Sequence, residues 1–376
     1  MQNSLRSDHL PERLARRVAA FGLPGPGDGD EPIVVAEIDW PAVRSNLEFH
    51  RLTGIAVAAL SAGVLELPAG ATDELHESHR GAMAWTLTVE RAALRVTSSL
   101  RAEGIESLVL KGPAFAHTFY PDPSWRPFGD LDLLVWSDDL AGAGTVLEGL
   151  GFARTLPEPR AGFDRRFGTG AIYRSDGGTE IDLHRTLVTG PFGLWIRPEE
   201  LFDATAELSL GGRGLRRLDD TTAFLHACVH AALGALPPLL MPLRDVVQIS
   251  TAGSPDWDRV RTLAERWHLG PVVGHALDSA AAVLGVPVPE QTAFLLSNGW
   301  PRRERRALLA YTTERQRRGA RALATVRAIP GVRGKVAYVR ALGMPDRAFL
   351  AARQADGRGS YARRWAVPLR WLLRKP

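Results

Sequence analysis

The stretch Asp130-Leu-Asp-Leu-Leu-Val135 alternates acidic and apolar residues over its first four positions, which predicts a half-buried β-strand. Residues i and i+2 of a strand point to the same face, so Asp130 and Asp132 project together, about 7 Å apart at their Cα atoms. Two carboxylates held this close repel each other unless a cation lies between them, and hard oxygen ligands suit Mg²⁺ or Mn²⁺. The strand therefore predicts a metal site, although an Asp-x-Asp pair is also a common polar strand edge.

Two further strands are predicted nearby. Residues 105–110 form a short apolar run, followed by Lys111-Gly112 and a short helix over 114–120. Residues 179–184, Thr-Glu-Ile-Asp-Leu-His, again alternate polar and apolar side chains. Strand, helix, strand, helix and strand within about 85 residues predict a small α/β or α+β core.

Asp182 lies on the last of these strands, with Glu180 and His184 on the same face. A third carboxylate beside an Asp-x-Asp pair is what a two-metal phosphoryl-transfer site needs. Lys111 and Gly112 lie between a strand and a helix, where backbone N–H groups and a lysine can hold triphosphate oxygens. The alternative for these two residues is an ordinary tight turn.

Residues 108–135 carry three linked motifs, Leu-Val-Leu-Lys-Gly-Pro-Ala-Phe-Ala, Tyr-Pro-Asp-Pro and Arg-Pro-Phe-Gly-Asp-Leu-Asp-Leu-Leu-Val. Residues 180–184 are Glu-Ile-Asp-Leu-His, and a Leu-His pair at 225–226 is followed by His230. These motifs resemble those of a poorly characterised bacterial nucleotidyltransferase family in the DNA polymerase β-like superfamily. The resemblance covers roughly residues 39–350 and is most specific at the first two groups of motifs.

The resemblance implies a mixed-sheet core, a two-Mg²⁺ site (or Mn²⁺), and transfer of a nucleoside monophosphate from an NTP such as ATP to an acceptor hydroxyl or similar group. Asp130, Asp132 and Asp182 would be the catalytic residues and the metal ligands, and Gly112 would lie in the nucleotide turn. Family members often lie beside genes for peptide or other natural-product biosynthesis, so the acceptor is expected in that chemistry.

The nucleotide turn departs from the wider superfamily, in which Gly-Ser or Gly-Gly usually follows the first strand. This chain has Lys111-Gly112 followed by Pro113, so a serine contact to the phosphates is absent. We predict that Lys111 and Gly112 bind the nucleotide together with Arg126 and His184, which can reach the phosphates or the acceptor. The alternative for Arg126 and His184 is structural hydrogen bonding.

Two pairs of polar residues follow the core. His226 and His230 share a helix face, but the residues between them lack the glutamate of an HExxH zinc motif. We therefore favour a hydrogen-bonded pair that lines the cleft over a zinc site. Arg244 and Asp245 are most simply explained as a local ion pair.

Composition excludes several classes of protein. The 376 residues, 45% hydrophobic and 23% charged, are typical of a globular protein rather than of a disordered or disulfide-built one. Cys228 is the single cysteine, no signal peptide is recognisable, and no apolar window is long enough to span a bilayer. We therefore expect a cytoplasmic protein with no transmembrane segment.

Charge is distributed unevenly along the chain. Residues 302–376 hold 20 Arg and Lys against four acids, whereas the preceding residues hold 26 against 38. A basic tail of this kind contacts a polyanion, such as nucleic acid or an anionic membrane surface, or else docks on the acidic body. We favour docking, with a small molecule or peptide rather than nucleic acid as the acceptor.

These observations predict an α+β fold in which a small mixed-sheet, polymerase β-like nucleotidyltransferase core is flanked by N- and C-terminal helical regions. The predicted division is a loosely ordered arm at 1–37, an N-terminal helical region at 38–104, the nucleotidyltransferase core at 105–198, a C-terminal helical region at 199–300 and a basic helical tail at 301–376.

A Mg²⁺-dependent nucleotidyltransferase is the leading functional hypothesis. The first alternative is a catalytically inactive nucleotide-binding or interaction module with the same fold. A metal-dependent glycosyltransferase, which also uses Asp-x-Asp, ranks last because it needs a larger nucleotide-sugar domain than this core provides.

Overall fold

A seven-stranded mixed sheet carries the predicted site. The computed structural model describes residues 10–25, 32–296, 299–313 and 317–353. Within these ranges the strands, in chain order, are β1 Ile33–Val34, β2 Leu65–Glu66, β3 Ser107–Val109, β4 Asp130–Val135, β5 Phe152–Arg154, β6 Gly170–Ser175, β7 Glu180–His184, β8 Thr205–Leu210 and β9 Arg213–Leu218.

The sheet has the strand order β5-β6-β7-β4-β3-β9-β8, and β1 and β2 form a separate parallel pair. β4 is parallel to β7 and β3 is parallel to β9, while the other neighbouring strands of the large sheet are antiparallel. The predicted α+β class with a mixed sheet is therefore confirmed.

Along the chain, helices precede the sheet, connect its strands and follow it. Within the described ranges, every helix is too short or too polar to span a lipid bilayer. The helices, in chain order, are α1 Leu10–Ala20, α2 Trp40–Phe49, α3 Thr53–Ser61, α4 Ala71–Ala102, α5 Lys111–Phe119, α6 Leu140–Gly149, α7 Phe163–Arg166, α8 Pro191–Trp195, α9 Pro198–Phe202, α10 Asp220–Leu233, α11 Leu240–Ala252, α12 Trp257–Arg266, α13 Gly270–Leu284, α14 Arg302–Thr312, α15 Arg317–Ala328, α16 Val332–Gly343 and α17 Arg347–Arg353.

The long helix α4 holds the loop that leads into β4. The indole Nε1 of Trp85 donates to the carbonyl oxygen of Gly129 at 2.9 Å. On the next residue of the helix, the Thr86 hydroxyl lies 3.3 Å from both the backbone nitrogen and the carbonyl oxygen of Phe128. The backbone just before Asp130 is therefore anchored to the N-terminal helical region.

The strands β8 and β9 correct the prediction that the chain is helical after residue 198. They form a hairpin around Gly211 and Gly212, which adopt φ angles of 54° and 74°. Two adjacent glycines between alternating stretches are the sequence signal for such a hairpin, because both turn positions need a positive φ. The sheet consequently extends beyond the end predicted for the nucleotidyltransferase core.

The helix α1 corrects the prediction of a loosely ordered arm for its part of residues 1–37. Leu14 and Val18 lie one helical turn apart and are buried in the main core. Composition misled the prediction here, because the glycines and prolines that follow at 22–30 dominate the segment. Residues 1–9 and 26–31 lie outside the described residues.

The basic tail packs on the body from α14 to α17. The Tyr311 hydroxyl donates to the carbonyl oxygen of Thr189 at 2.6 Å. The rings of Phe167 and Tyr338 meet edge to face, with their centroids 5.4 Å apart. These contacts show that α14 and α16 pack on the body. Docking of the tail from residue 354 onward stays a prediction, because those residues lie outside the described residues.

Candidate active site

The acidic residues of β4 and β7 converge on one face of the sheet. The two strands are parallel and in register, with Asp130 opposite Glu180 and Asp132 opposite Asp182. Side chains at paired positions project to the same face, so the predicted carboxylates are neighbours. The residues between them are completely buried on the other face: Leu131, Leu133, Ile181 and Leu183.

Asp132 is the centre of this group. Its side chain is 2% exposed, and its Oδ1 lies 2.8 Å from Lys111 Nζ and 2.9 Å from His184 Nε2. Burial opposes ionisation of Asp132, but the Lys111 ammonium and the His184 ring outweigh it and hold the pKa of Asp132 well below its usual range. Asp132 is therefore an ionised carboxylate with two cationic neighbours.

Both neighbours of Asp132 are held in their charged forms. Burial lowers the pKa of Lys111, but the attraction of Asp132, followed by that of Asp130 and Asp182, raises the pKa above its usual value. The Nε2 atom of His184 also lies 3.2 Å from Asp182 Oδ2. Burial lowers the pKa of His184, while Asp182 and the hydrogen bonds to both carboxylates raise it to about 10.

Asp132, Asp182 and His184 bring three ligand atoms together that could hold a metal ion, with His184 available as a ligand only in its neutral form. One ligand atom from each lies within 4.8 Å of the other two. Asp130, which the sequence placed with Asp132 and Asp182, is not one of these three. Its pKa is raised, first by burial and then by repulsion from Asp132. The structure thus brings together two of the three predicted carboxylates and adds the histidine.

Lys111 and Gly112 form a turn at the start of α5, just after β3. The N–H of Leu110 donates to the carbonyl oxygen of Asp132 at 3.0 Å, so the turn begins where the carboxylates lie. Gly112 departs from helical geometry, with φ 33° and ψ −112°. Residues other than glycine rarely adopt these angles, so the turn requires a residue without a Cβ atom at this position.

Gly112→Ala is expected to lower the free energy of unfolding by about 1–3 kcal/mol, because alanine is strained in this backbone conformation. An added Cβ would lie 3.4 Å from the Phe128 ring, so crowding contributes little. Gly81→Ala in α4 is the matched control, since open space surrounds Gly81 and helix propensity favours alanine by about 0.5–1 kcal/mol. Urea unfolding measures the free energy of unfolding of both variants. If the two substitutions change it in the same direction, the strained turn is contradicted.

Arg126, a predicted nucleotide ligand, is buried beside the turn and has a carboxylate partner. Its Nε and Nη2 donate to the two oxygens of Asp245 at 2.7 Å each, and its Nη1 lies 3.4 Å from the carbonyl oxygen of Gly112. The Tyr120 hydroxyl donates to the same carboxylate at 2.7 Å. Burial opposes the charge of Arg126, but Asp245 outweighs it and raises the pKa of Arg126 above its usual value.

The predicted local ion pair between Arg244 and Asp245 is wrong. Neighbouring residues on a helix point in different directions, and the two side chains have different partners. The Arg244 guanidinium donates to the carbonyl oxygens of Ala19 at 2.6 Å and Phe21 at 2.7 Å, and to Gln248 at 3.2 Å. Arg244 therefore fixes the end of α1, while Asp245 reaches the strand-to-helix turn.

His226 and His230 lie on the face of α10 that borders the site. Burial lowers the pKa of His226 to about 3 and that of His230 well below its usual value, so both rings are neutral. The Nδ1 atom of each ring is buried without a hydrogen-bond partner among the described residues. His230 lines the cleft as predicted, but within the described part of the chain the hydrogen bonds expected for the pair are missing at both Nδ1 atoms.

A cavity of about 110 Å³ opens beside the acidic group. Its wall contains Arg51 and Asp245, which the sequence analysis did not place in the site. Neither belongs to a motif there: Arg51 follows α2, and Asp245 reaches Arg126 across 119 residues of sequence. The lining residues are Arg51, Lys111, Gly112, Arg126, Pro127, Phe128, Asp130, Asp132, His230, Leu239, Met241, Pro242 and Asp245.

Two solved structures are similar to part of this chain. The antibiotic-resistance factor ANT(2'')-Ia, studied in solution, is 12% identical, with 52% of this chain and 95% of that chain covered and a TM-score of 0.34. An antigenic nucleotidyltransferase-like protein from Paracoccidioides brasiliensis is 16% identical, with 56% and 96% covered and a TM-score of 0.34. No curated protein matches the chain.

A family model matches the chain over residues 36–285, from before α2 to the end of α13. The matched residues include the whole seven-stranded sheet, the Lys111-Gly112 turn and every residue that lines the cavity. The model describes an uncharacterised nucleotidyltransferase, and because it covers well over half of the sequence, the chain belongs to that nucleotidyltransferase family.

Proposed function

We propose that this chain transfers a nucleoside monophosphate from an NTP, with ATP as one candidate, to an acceptor hydroxyl or similar group. In this proposal Asp130, Asp132 and Asp182 are the catalytic carboxylates and hold Mg²⁺ or Mn²⁺. Lys111 and Gly112 bind the phosphates. The fold would then belong to the DNA polymerase β-like superfamily, as the motifs at 108–135 and 180–184 imply.

The observation that carries this proposal is the convergence of three carboxylates, Asp130, Asp132 and Asp182, on one face of two parallel strands. Lys111 and His184 both contact Asp132, whereas Asp182 shares only His184 and Asp130 makes no ion pair among the described residues. Carboxylates held this close are stabilised by a further cation, and a nucleotide that arrives with its own divalent metal would supply one.

The residues present fit a hard divalent cation. Both contacts of the Asp132 carboxylate use Oδ1, and Oδ2 has no side-chain partner among the described residues. Asp182 is one-third exposed, so its carboxylate can be approached from solvent. When bound, such a metal would activate the attacking hydroxyl and stabilise the negative charge on the transferred phosphate.

The side chains of this chain have separate tasks in the proposal. Lys111 places a compact ammonium where the phosphates would enter, and Gly112 lets the backbone approach them closely. His184, as a charged ring between Asp132 and Asp182, orients both carboxylates. Arg126 acts through the turn, because its guanidinium is held by Asp245 and faces the Gly112 carbonyl oxygen.

A small molecule or a peptide is the acceptor that we favour, as in natural-product or peptide biosynthesis. The basic helices that could bind nucleic acid are partly used within the protein, since α14 packs through Tyr311 onto Thr189. The second candidate function is a nucleotide-binding module without turnover. The contact of Lys111 Nζ with Asp132 favours it, because an ammonium already lies 2.8 Å from a proposed metal ligand.

Purified protein with each of the four labelled NTPs, Mg²⁺ and a cell extract tests the proposal. We expect transfer of label from at least one NTP, with release of pyrophosphate, and loss of both when EDTA removes the metal. Asp182→Asn is the control for contaminating activity. Binding of NTP without pyrophosphate release would favour the inactive module, and absence of both binding and release would contradict the proposal.

A further inference from the structure

Arg51 has an unusual backbone conformation for its residue type. It follows α2 with φ 61°, and among the described residues only His268 is another non-glycine residue with positive φ. Its N–H donates to Glu48 O at 3.0 Å, and the N–H of Leu52 donates to Leu47 O at 2.8 Å. These two bonds define a Schellman motif, in which the position of Arg51 is usually glycine.

Arg51 therefore carries a long side chain at a position where the backbone conformation favours glycine. Arg51 is exposed and lines the 110 Å³ cavity together with Lys111, Gly112 and Asp130. Arg51 makes no ion pair within 4.0 Å among the described residues, although its positive charge partly offsets the rise that burial causes in the pKa of Asp130 in the same cavity. Lys111 pairs with Asp132. Strained residues of this kind are concentrated at binding and catalytic sites.

The turn opposite Arg51 offers few donors for phosphate. Pro113 has no N–H, the chain has no serine in the turn, and the Lys111 ammonium already contacts Asp132. An additional cation on the cavity wall would compensate for these missing donors. Arg51 is suited to this task, because a guanidinium presents several N–H groups that match phosphate oxygens.

The helix α11 begins at the same cavity. Leu239, Met241 and Pro242, from its start, line the wall, and the N-cap residue makes no side-chain hydrogen bond. The N–H of Leu240 donates to His50 Nδ1 at 3.3 Å. Since the N–H of Leu240 is used and Pro242 has none, the first turn offers an anion mainly the N–H of Met241 and the partial positive charge of the helix N-terminus.

We propose that Arg51, Lys111 and the N-terminus of α11 form a subsite for the terminal phosphates of the NTP. This inference rests on the proposed function. Arg51, Lys111 and the start of α11 line one cavity, so a single anionic group could contact all three. Arg51 thereby extends nucleotide binding to the helices that precede the sheet.

Arg51→Gly is the variant that tests the subsite most sharply, because glycine suits the Schellman position and should leave the melting temperature unchanged or higher. Equilibrium dialysis with labelled NTP and with the corresponding NMP measures binding. We expect the Kd for NTP to rise at least about tenfold, as for the loss of a charged hydrogen bond, with the Kd for NMP unchanged. Arg51→Lys should recover part of the affinity.

Arg44→Gln is the matched control, since Arg44 is an exposed arginine of α2 whose partners are Glu48 and Glu74 and which does not line the cavity. Its Kd for NTP should equal that of the wild type. An unchanged Kd for NTP in Arg51→Gly, or an equal rise for NTP and NMP, would overturn the subsite.

Inorganic tripolyphosphate separates failure of the subsite from failure of the proposed function. Binding of tripolyphosphate that depends on Arg51, without any binding of NTP, would support a polyphosphate site at Arg51 but overturn its assignment to the NTP, and it would contradict the nucleotidyltransferase proposal. Binding of NTP with equal affinity to wild type and Arg51→Gly would support that proposal and contradict the subsite. If the wild-type protein binds neither probe, both are wrong.

Discussion

Asp132→Ala is expected to lower the rate of nucleotide transfer by about a thousandfold or more, because loss of a metal ligand removes several kcal/mol of transition-state stabilisation. It is also expected to lower the free energy of unfolding by about 3 kcal/mol. The reason is that Lys111 and His184 would remain buried without the carboxylate that both contact. Pyrophosphate release and urea unfolding measure the two effects.

Asp130→Ala is the matched control, on the same strand and the same face as Asp132. Its transfer rate should fall as well, but its stability should be unchanged or higher. Burial and the charge of Asp132 raise the pKa of Asp130, so its ionised form is unfavourable in the folded protein. Equal stability of Asp132→Ala and the wild type would contradict the ion-paired centre. Normal turnover of Asp130→Ala would remove Asp130 from the catalytic set.

The contrast between these two aspartates shows where sequence-based reasoning about the site ends. The period of two along β4 places Asp130 and Asp132 on one face, and the same period places Asp182 beside them. This periodicity does not show which of the carboxylates is the most buried. Which carboxylate forms the ion-paired centre depends on Lys111, which reaches Asp132 from the start of α5, and on His184. From the sequence alone, repulsion was the expected state of both aspartates.

The fold divides in the same way between local patterns and long-range packing. The strands β3, β4 and β7 and the helices α4 and α10 are predictable, because their apolar residues recur at strand or helix spacing. The hairpin β8–β9 also has a local sequence signal, the adjacent Gly211 and Gly212, which differs from the helical region predicted over 199–300. Arg51 is not predictable from the sequence, because glycine is the usual residue at its position after α2 and because its cavity forms only where residues of α5 and α11 meet it.

Asp245 is the clearest example of a contact that no local pattern contains. It lies on α11, and it joins Arg126, before β4, to the hydroxyl of Tyr120 at the end of α5. Both side chains of the ion pair are nearly inaccessible, with 7% of Arg126 and 1% of Asp245 exposed. The pair therefore connects the C-terminal helices to the turn at Gly112, and removal of either partner should affect both stability and nucleotide binding.

Asp245→Leu is expected to lower the free energy of unfolding by about 3–5 kcal/mol, because the guanidinium of Arg126 would remain buried without its carboxylate. The double variant Arg126→Met with Asp245→Leu should recover much of this loss, since it removes both buried charges and keeps an apolar volume. Urea unfolding of the two single variants and the double variant measures the coupling between them.

The NTP affinity of the double variant distinguishes a positioning role of Arg126 from direct contact with the nucleotide. If Arg126 acts through the Gly112 carbonyl oxygen, 3.4 Å away, the stable double variant should bind NTP more weakly because the turn is less well fixed. Phosphate and nucleoside portions should then lose affinity together, measured as Kd for NTP and NMP. A loss confined to NTP would instead assign Arg126 to the phosphates, and a double variant no more stable than Asp245→Leu would contradict the paired-charge account.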